Sequence, residues 1–295
     1  MSVLYSFCSQ SNCGDGAYPN AGLIQGGNGN FYGTTYQGGS GAQCSSSCGT
    51  VFEISPEGTL TTLYNFCSQA NCSDGSVPFG GLVLGRDGNF YGTTTYGGNT
   101  RCESNGCGTV FKLTPDGALT TLYKFCSKSN CADGALPSAN LVEGSDGNFY
   151  GTAQQGGFSS SRCLANTFGC GTAFKITPTG ALTTLHMFCT KANCVDGVAP
   201  NAPLILGKDD NFYGTTYFGG TNGPYAGTVF QITPAGRLTT LYNFCAQANC
   251  ADGASPSAAL LQTADGKFYG TTSGDGGREG MGTVFRLSIG QGSER

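Results

Sequence analysis

Tryptophan is missing from all 295 residues, and histidine occurs once, at His186. That lone histidine stands where a tyrosine otherwise recurs, which makes it a packing residue. Neither a Ser-His-Asp or Cys-His nucleophile nor a histidine-rich metal centre is expected. Charge is scarce too: Asp, Glu, Lys and Arg make up 11% of the chain, with a formal net charge of −4. No basic patch is available for nucleic acid or an anionic membrane surface. No apolar run reaches the ~18 residues of a membrane-spanning helix, so no membrane insertion is expected. No leader pattern follows Met1, so the chain reads as cytosolic or as a mature or excised form. Helical periodicity is absent throughout. The Gly-rich segments are followed by no helix, which argues against a phosphate loop.

What is abundant is glycine, at 50 residues, and cysteine, at 16. The cysteines fall in close pairs. Five have four residues between them: Cys8 with Cys13, Cys67 with Cys72, Cys126 with Cys131, Cys189 with Cys194, and Cys245 with Cys250. Three more are Cys44 with Cys48, Cys102 with Cys107, and Cys163 with Cys170. An even, paired, repeated set reads as disulfides in an oxidising compartment, which makes the protein secreted or extracellular. The rival reading is zinc held by two pairs. Only the first three repeats carry both pairs, which would break a four-thiolate site in the others but leave a self-contained disulfide intact. No metal and no cofactor is therefore expected, and no thiolate is left as a nucleophile.

One phrase recurs five times, starting at Leu4, Leu63, Leu122, Leu185 and Leu241. It runs Leu-Tyr-x-Phe-Cys, a second Cys, Asp-Gly, Pro, an apolar triplet, Phe-Tyr-Gly-Thr and Gly-Thr-Val-Phe. A repeat of this length marks one supersecondary unit in series. Within it, residues 21–25 are an apolar run, and Asn28 and Gly29 a hairpin turn. Residues 30–35 form the next run, and residues 49–54 follow a Gly-rich loop. A Pro-x-Gly turn and residues 59–66 complete four strands. The turn recurs as Asp-Gly at 87, 146 and 265, whereas the fourth repeat has Asp209 and Asp210. The Gly after each Tyr is expected to allow close sheet approach.

Four antiparallel strands repeated radially point to an all-β, five-bladed β-propeller, as one domain over residues 1–289 with a polar tail at 290–295. The chain begins in a fourth strand and ends after a third. Residues 2–7 are therefore expected to pair with residues 282–288 and close the ring. An open β-solenoid is the alternative.

The phrase DGAYPNAGLIQGGNGNFYGTTYQGG, the GTVF strand and the TPxGxLTTLY segment resemble the Gloeo-Verruco (GloVer) extracellular tandem repeat, over about residues 2–288. The resemblance implies secretion or surface display and brings no activity with it. The extra cysteine pairs go beyond the minimal repeat.

The short turns and the long loops are expected on opposite faces. Both cysteine pairs of a repeat then share the long-loop face, over residues 8–19 and 36–48 in the first repeat, and such rigid loops suit binding. Asp15, Asp74, Asp133, Asp196 and Asp252 recur there as candidates for cations or sugar hydroxyls, or as turn-capping carboxylates. Tyr36, Tyr96 and Tyr217 are candidate stacking platforms for sugar rings or plain loop packing, and the absence of Trp weighs against a lectin. Glu143 breaks the pattern of the innermost strand as a channel-lining acid or a solvated strand end. Glu103, Asp275 and Glu279 lie in loops of different repeats.

Three functions follow. The first is a secreted module that binds an extracellular glycan or surface polymer. The second is a carbohydrate-active enzyme of glycosidase or lyase type, using two of Glu143, Glu103, Asp275 and Glu279 as a carboxylate pair. The third is a purely structural or self-assembling module.

Overall fold

The computed structural model describes residues 1–42, 44, 48–102, 105–161, 163, 169–274 and 280–289. Glu103, Asp275, Glu279 and the tail at 290–295 lie outside the described residues. Five successive sheets, one per repeat, account for the fold.

Unit 1 holds β1 (Ile24–Gln25), β2 (Phe31–Thr35), β3 (Thr50–Ile54) and β4 (Leu60–Asn65) in that order. Unit 2 holds β5 (Val83–Leu84), β6 (Phe90–Thr94), β7 (Gly97–Gly98), β8 (Gly106–Leu113) and β9 (Leu119–Lys124), with β7 an added parallel edge on β8. Unit 3 holds β10 (Val142–Glu143), β11 (Phe149–Ala153), β12 (Thr172–Ile176) and β13 (Leu182–Met187). Unit 4 holds β14 (Ile205–Leu206), β15 (Phe212–Thr216), β16 (Thr228–Ile232) and β17 (Leu238–Asn243). Unit 5 holds β18 (Ala254–Pro256), β19 (Leu261–Gln262), β20 (Phe268–Gly274) and β21 (Thr283–Leu287). The principal pairings are antiparallel, as the hairpin signals predict. Gly29 takes φ +84° in the first hairpin, and in unit 4 Asp210 adopts φ +59° in glycine's place, a conformation that Asp tolerates better than most residues.

The core lies between sheets. Adjacent Phe and Tyr on the second strand point to opposite faces. The Tyr of each unit therefore stacks on the Phe of the next: Tyr32 on Phe90, Tyr91 on Phe149, Tyr150 on Phe212 and Tyr213 on Phe268, at 3.8–4.3 Å between centroids. A second column runs from the Phe after the fourth strand to the third-strand Phe of the next unit, as in Phe66 with Phe111 at 5.1 Å. Glycine after the Tyr is required here. A Cβ on Gly92 would sit 2.5 Å from the Phe111 ring.

Units are latched by backbone as well. Val77, Leu136 and Ala199, each before a proline and each at positive φ, donate N–H to the carbonyls of Cys48, Cys107 and Cys170 in the unit before. The prolines themselves lie over Gly49, Gly108 and Gly171. A β-bulge at Val51 and Phe52 leaves Leu63 outside the ladder, and its carbonyl meets the next unit's turn at Gly117.

The expected closure by the N-terminal strand is not present. Among the described residues β21 pairs with β20 alone, and residues 1–6 form no strand. Residues 3–7 are held against unit 1, and the series of sheets leaves the β21 edge away from them. Phe7 packs on Phe52 at 4.9 Å, and the Tyr5 hydroxyl donates to Asp15 at 2.8 Å. The outgoing face of unit 5 stays open, with Val284 81% exposed where Val51 and Val110 are fully buried. The sheets thus form an open series.

Candidate functional site

The two long loops of a unit meet on one side of the array. Isolated bridges tie them together: Ala17 to Gln37, Ser76 to Tyr96, Ala135 to Gln155 and Val198 to Phe218. All eight expected disulfides are formed, and among the described residues no cysteine is free. The staples and the loops they close therefore share a face, opposite the hairpin turns.

Asp15, Asp74, Asp133 and Asp196 are fully buried and Asp252 is half-buried. Asp74 accepts the Tyr64 hydroxyl at 2.8 Å, the Ser68 N–H at 2.9 Å and the Gln69 N–H at 3.2 Å. Tyr123 and Tyr242 serve Asp133 and Asp252 in the same way. These carboxylates are turned into the loop that follows the first cysteine, so they hold it in shape and offer no free oxygen to a ligand. Burial pushes Asp15 up, but the Ser9 N–H, the Tyr5 hydroxyl and the Gln10 N–H outweigh it, holding the group at about 2. Burial and the hydrogen bond to Asp252 push the Tyr242 hydroxyl up to about 12. Sequence reading took His186 for packing; it is also a partner, with Nε2 3.0 Å from Asp196 Oδ2. The signal was present, because Tyr and Asp stand ten residues apart in every repeat and His186 falls in that register.

Among the described residues, clefts open on the loop face at equivalent places in units 1 and 4. The unit 1 cleft, about 540 Å³, is lined by Asn12, Cys13, Ala17, Tyr18, Gln37, Gly38, Gly39 and Cys44. The unit 4 cleft, about 520 Å³, repeats this with Asn193, Cys194, Val198, Phe218, Gly219 and Gly220, and adds Thr221, Gly223, Pro224 and Tyr225. Ser161 and Cys163 of unit 3 close its far wall. No charged side chain lines either cleft.

Aromatics gather beside both. Tyr36 lies between Tyr18 and Phe79, at 5.5 and 5.8 Å, and Tyr18 is 62% exposed. Tyr217 meets Phe218 at 4.5 Å, which meets Tyr225 at 5.6 Å, and Tyr225 is 69% exposed. The half-buried Tyr36 thus supports the exposed Tyr18, and Tyr217 supports the exposed Tyr225 through Phe218; the repeat pattern does not single out Tyr18, because Val77, Leu136, Ala199 and Ser255 stand in its place elsewhere. Tyr96, also half-buried, has no such ring cluster among the described residues; its carbonyl accepts the Ser76 N–H at 2.9 Å.

Glu143 lies elsewhere. It ends β10 beside the hairpin turn, opposite the loop face. Its carboxylate is 3.8 Å from Arg86 Nε of unit 2 and takes the Arg86 backbone N–H at 3.4 Å. It is thus a tie between neighbouring units, neither a free acid in a channel nor a solvated end.

The molecule defined by these features is an all-β tandem-repeat protein with disulfide-stapled loops on one face. It belongs to the family described as the Gloeobacter/Verrucomicrobia repeat, whose model matches residues 1–165 and 160–295. No curated protein matches the sequence. Among solved structures it is similar to an endo-arabinase from Bacteroides thetaiotaomicron, at 13% identity and a TM-score of 0.45, over 98% of this chain and 99% of that one. It is also similar to a GH43 β1,3-galactosidase, at 10% identity and a TM-score of 0.45, over 92% of this chain and 56% of that one. A Mycobacterium tuberculosis puromycin-hydrolysing peptidase aligns at 10% identity and a TM-score of 0.48, over 91% of this chain and 36% of that one.

Proposed function

We propose that this is an extracellular, propeller-like module that binds a neutral glycan or surface polymer through the loop face. The observation that carries the reading is the pair of equivalent clefts, each uncharged and each rimmed by an exposed tyrosine on an aromatic support. Carbohydrate offers apolar C–H faces and a ring of hydroxyls. Tyrosine supplies the first with a stacking surface at small entropic cost, while amides such as Asn12, Gln37 and Asn193 and the Thr221 hydroxyl supply polar partners. Eight disulfides suit an oxidising, extracellular setting. Two modest sites on one rigid face favour a repetitive polymer, because a second contact becomes intramolecular.

The test is a titration of neutral oligosaccharides and their parent polymers against the oxidised protein, alongside Tyr18→Ala and Tyr225→Ala. Each substitution is expected to weaken binding about tenfold at its own cleft. No binding by the intact protein to a broad set of neutral glycans would sink the reading.

A further inference from the structure

We infer that this protein assembles head to tail with copies of itself, the N-terminal strand and incoming face of unit 1 completing unit 5 of the neighbouring molecule. The occupant is named by the molecule's own repeats. Every internal junction uses the same four contacts, and each half of all four stands unused at one end of the array or the other.

The first contact is a strand. Among the described residues β21 has no fourth strand beside it, and a groove of about 260 Å³ runs along it, bordered by Phe244, Thr283 and Phe285. Residues 4–7 already make the contacts that a preceding unit's fourth strand makes with the next unit. The Leu4 carbonyl meets Gly58 as that of Leu63 meets Gly117, and Tyr5 binds Asp15 as Tyr64 binds Asp74. Transferring the unit 1 register, in which Val51 faces Tyr64 and Phe52 faces Thr62, sets Tyr5 opposite Val284 and Val3 opposite Phe285.

The second contact is the latch. Tyr18 stands before Pro19 at φ +56°, like Val77, Leu136 and Ala199, yet among the described residues its N–H finds no acceptor. The carbonyl in the matching place on unit 5 belongs to Met281, 83% exposed. The third is the glycine beneath the proline: among the described residues Gly282 has Thr272 and Ser273 nearest and no proline, whereas Gly49, Gly108, Gly171 and Gly227 each meet one. The fourth is the aromatic column. Phe31 and Tyr269 are only part-buried, while their counterparts Phe90 and Tyr213 are 2% and 3% exposed. Leu23 is 51% exposed where Leu82 is 3%.

A surface of this kind is heterologous, so it extends rather than pairs off. Adding an edge strand from another chain also satisfies backbone groups that an open edge leaves unpaired.

Light scattering across a concentration series tests this on the full, oxidised chain. The wild type is expected to grow beyond a dimer as concentration rises. Val284→Arg places a charge on the outgoing face, and the double change Val3→Asp with Leu4→Asp spoils the donor strand. All three positions are exposed, at 81%, 74% and 48%, so folding is retained, to be verified by circular dichroism. Each variant alone is expected to associate at least about tenfold more weakly. A mixture of the two has one intact donor and one intact acceptor, so it is expected to form a dimer and stop. A wild type that stays monomeric throughout, including one whose own strand closes its ring, overturns the inference. So does assembly that neither variant weakens, or a mixture that behaves as the separate variants do.

Discussion

A buried carboxylate is tolerated only where donors surround it, and Asp74 has three, Tyr64 Oη and the N–H groups of Ser68 and Gln69. Asp74→Asn keeps the shape but turns an amide N–H toward groups that donate. The expected loss is about 2–3 kcal/mol, read by denaturant unfolding. The pH dependence follows from the same pairs. Asp15 is held at about 2 in the fold against an ordinary value of ~3.9. Its contribution is complete above the ordinary value and disappears as pH falls toward about 2. Tyr242, pushed up to about 12, contributes fully below the ordinary ~10 and loses that contribution as pH rises past it. Thermal stability is therefore expected to hold level from about pH 5 to 9 and to fall on either side. A third residue-scale case is a gap. Thr35 with Thr50, Thr94 with Thr109, and Thr216 with Thr228 share buried hydroxyl bonds of 2.8–2.9 Å. Unit 3 has Ala153 at that place, and the buried Thr172 hydroxyl is left without a partner. Ala153→Thr is expected to raise stability by about 1 kcal/mol; an unchanged or lower midpoint in urea would refute the account.

At the scale of elements, the strands and turns were plain in the residues because each is marked twice, by apolar alternation and by Asp-Gly or Pro-x-Gly punctuation. The disulfides were equally plain, since their spacing leaves each pair self-contained. What the residues did not show is how unit 4 manages its long loop without the second staple. Asn222 anchors it to the fourth strand: its amide donates to the carbonyls of Asn243 and Phe244 at 3.1 and 2.8 Å, while the Thr221 N–H reaches the Asn243 side chain at 3.0 Å. Units 1 and 2 make related bonds beside their disulfides, Ser40 N–H to Asn65 Oδ1 at 2.8 Å and the Asn99 amide to the Cys126 carbonyl at 2.9 Å, so in unit 4 these bonds hold the loop without the staple. Changing Cys102 and Cys107 together to Ser is expected to cost about 2 kcal/mol, the chain-entropy value for so short a loop. Asn222→Ala is expected to cost about 1–2 kcal/mol and to open the neighbouring backbone to hydrogen exchange while β16 and β17 keep their protection.

Across the whole molecule, closure escaped the sequence for a definite reason. The N-terminal strand and β21 are complementary whether they meet within one chain or between two, and repetition cannot tell the cases apart. The clefts escaped it too, because they are shaped by the paths the cysteine-bearing loops take in space, which repeat spacing does not give. Once located, they make a prediction that composition alone does not. A protein with net charge −4 that bound its polymer by charge would lose affinity as salt rises. Neither cleft carries a charged lining residue. Binding of a neutral oligosaccharide is therefore expected to change less than about twofold between low and physiological salt. Calorimetry should resolve two sites per chain in the wild type, and in Tyr18→Ala and in Tyr225→Ala one site of unchanged affinity beside one about tenfold weaker. A strong salt dependence, or a single site in the wild type that both substitutions abolish, would show that the ligand sits outside the clefts.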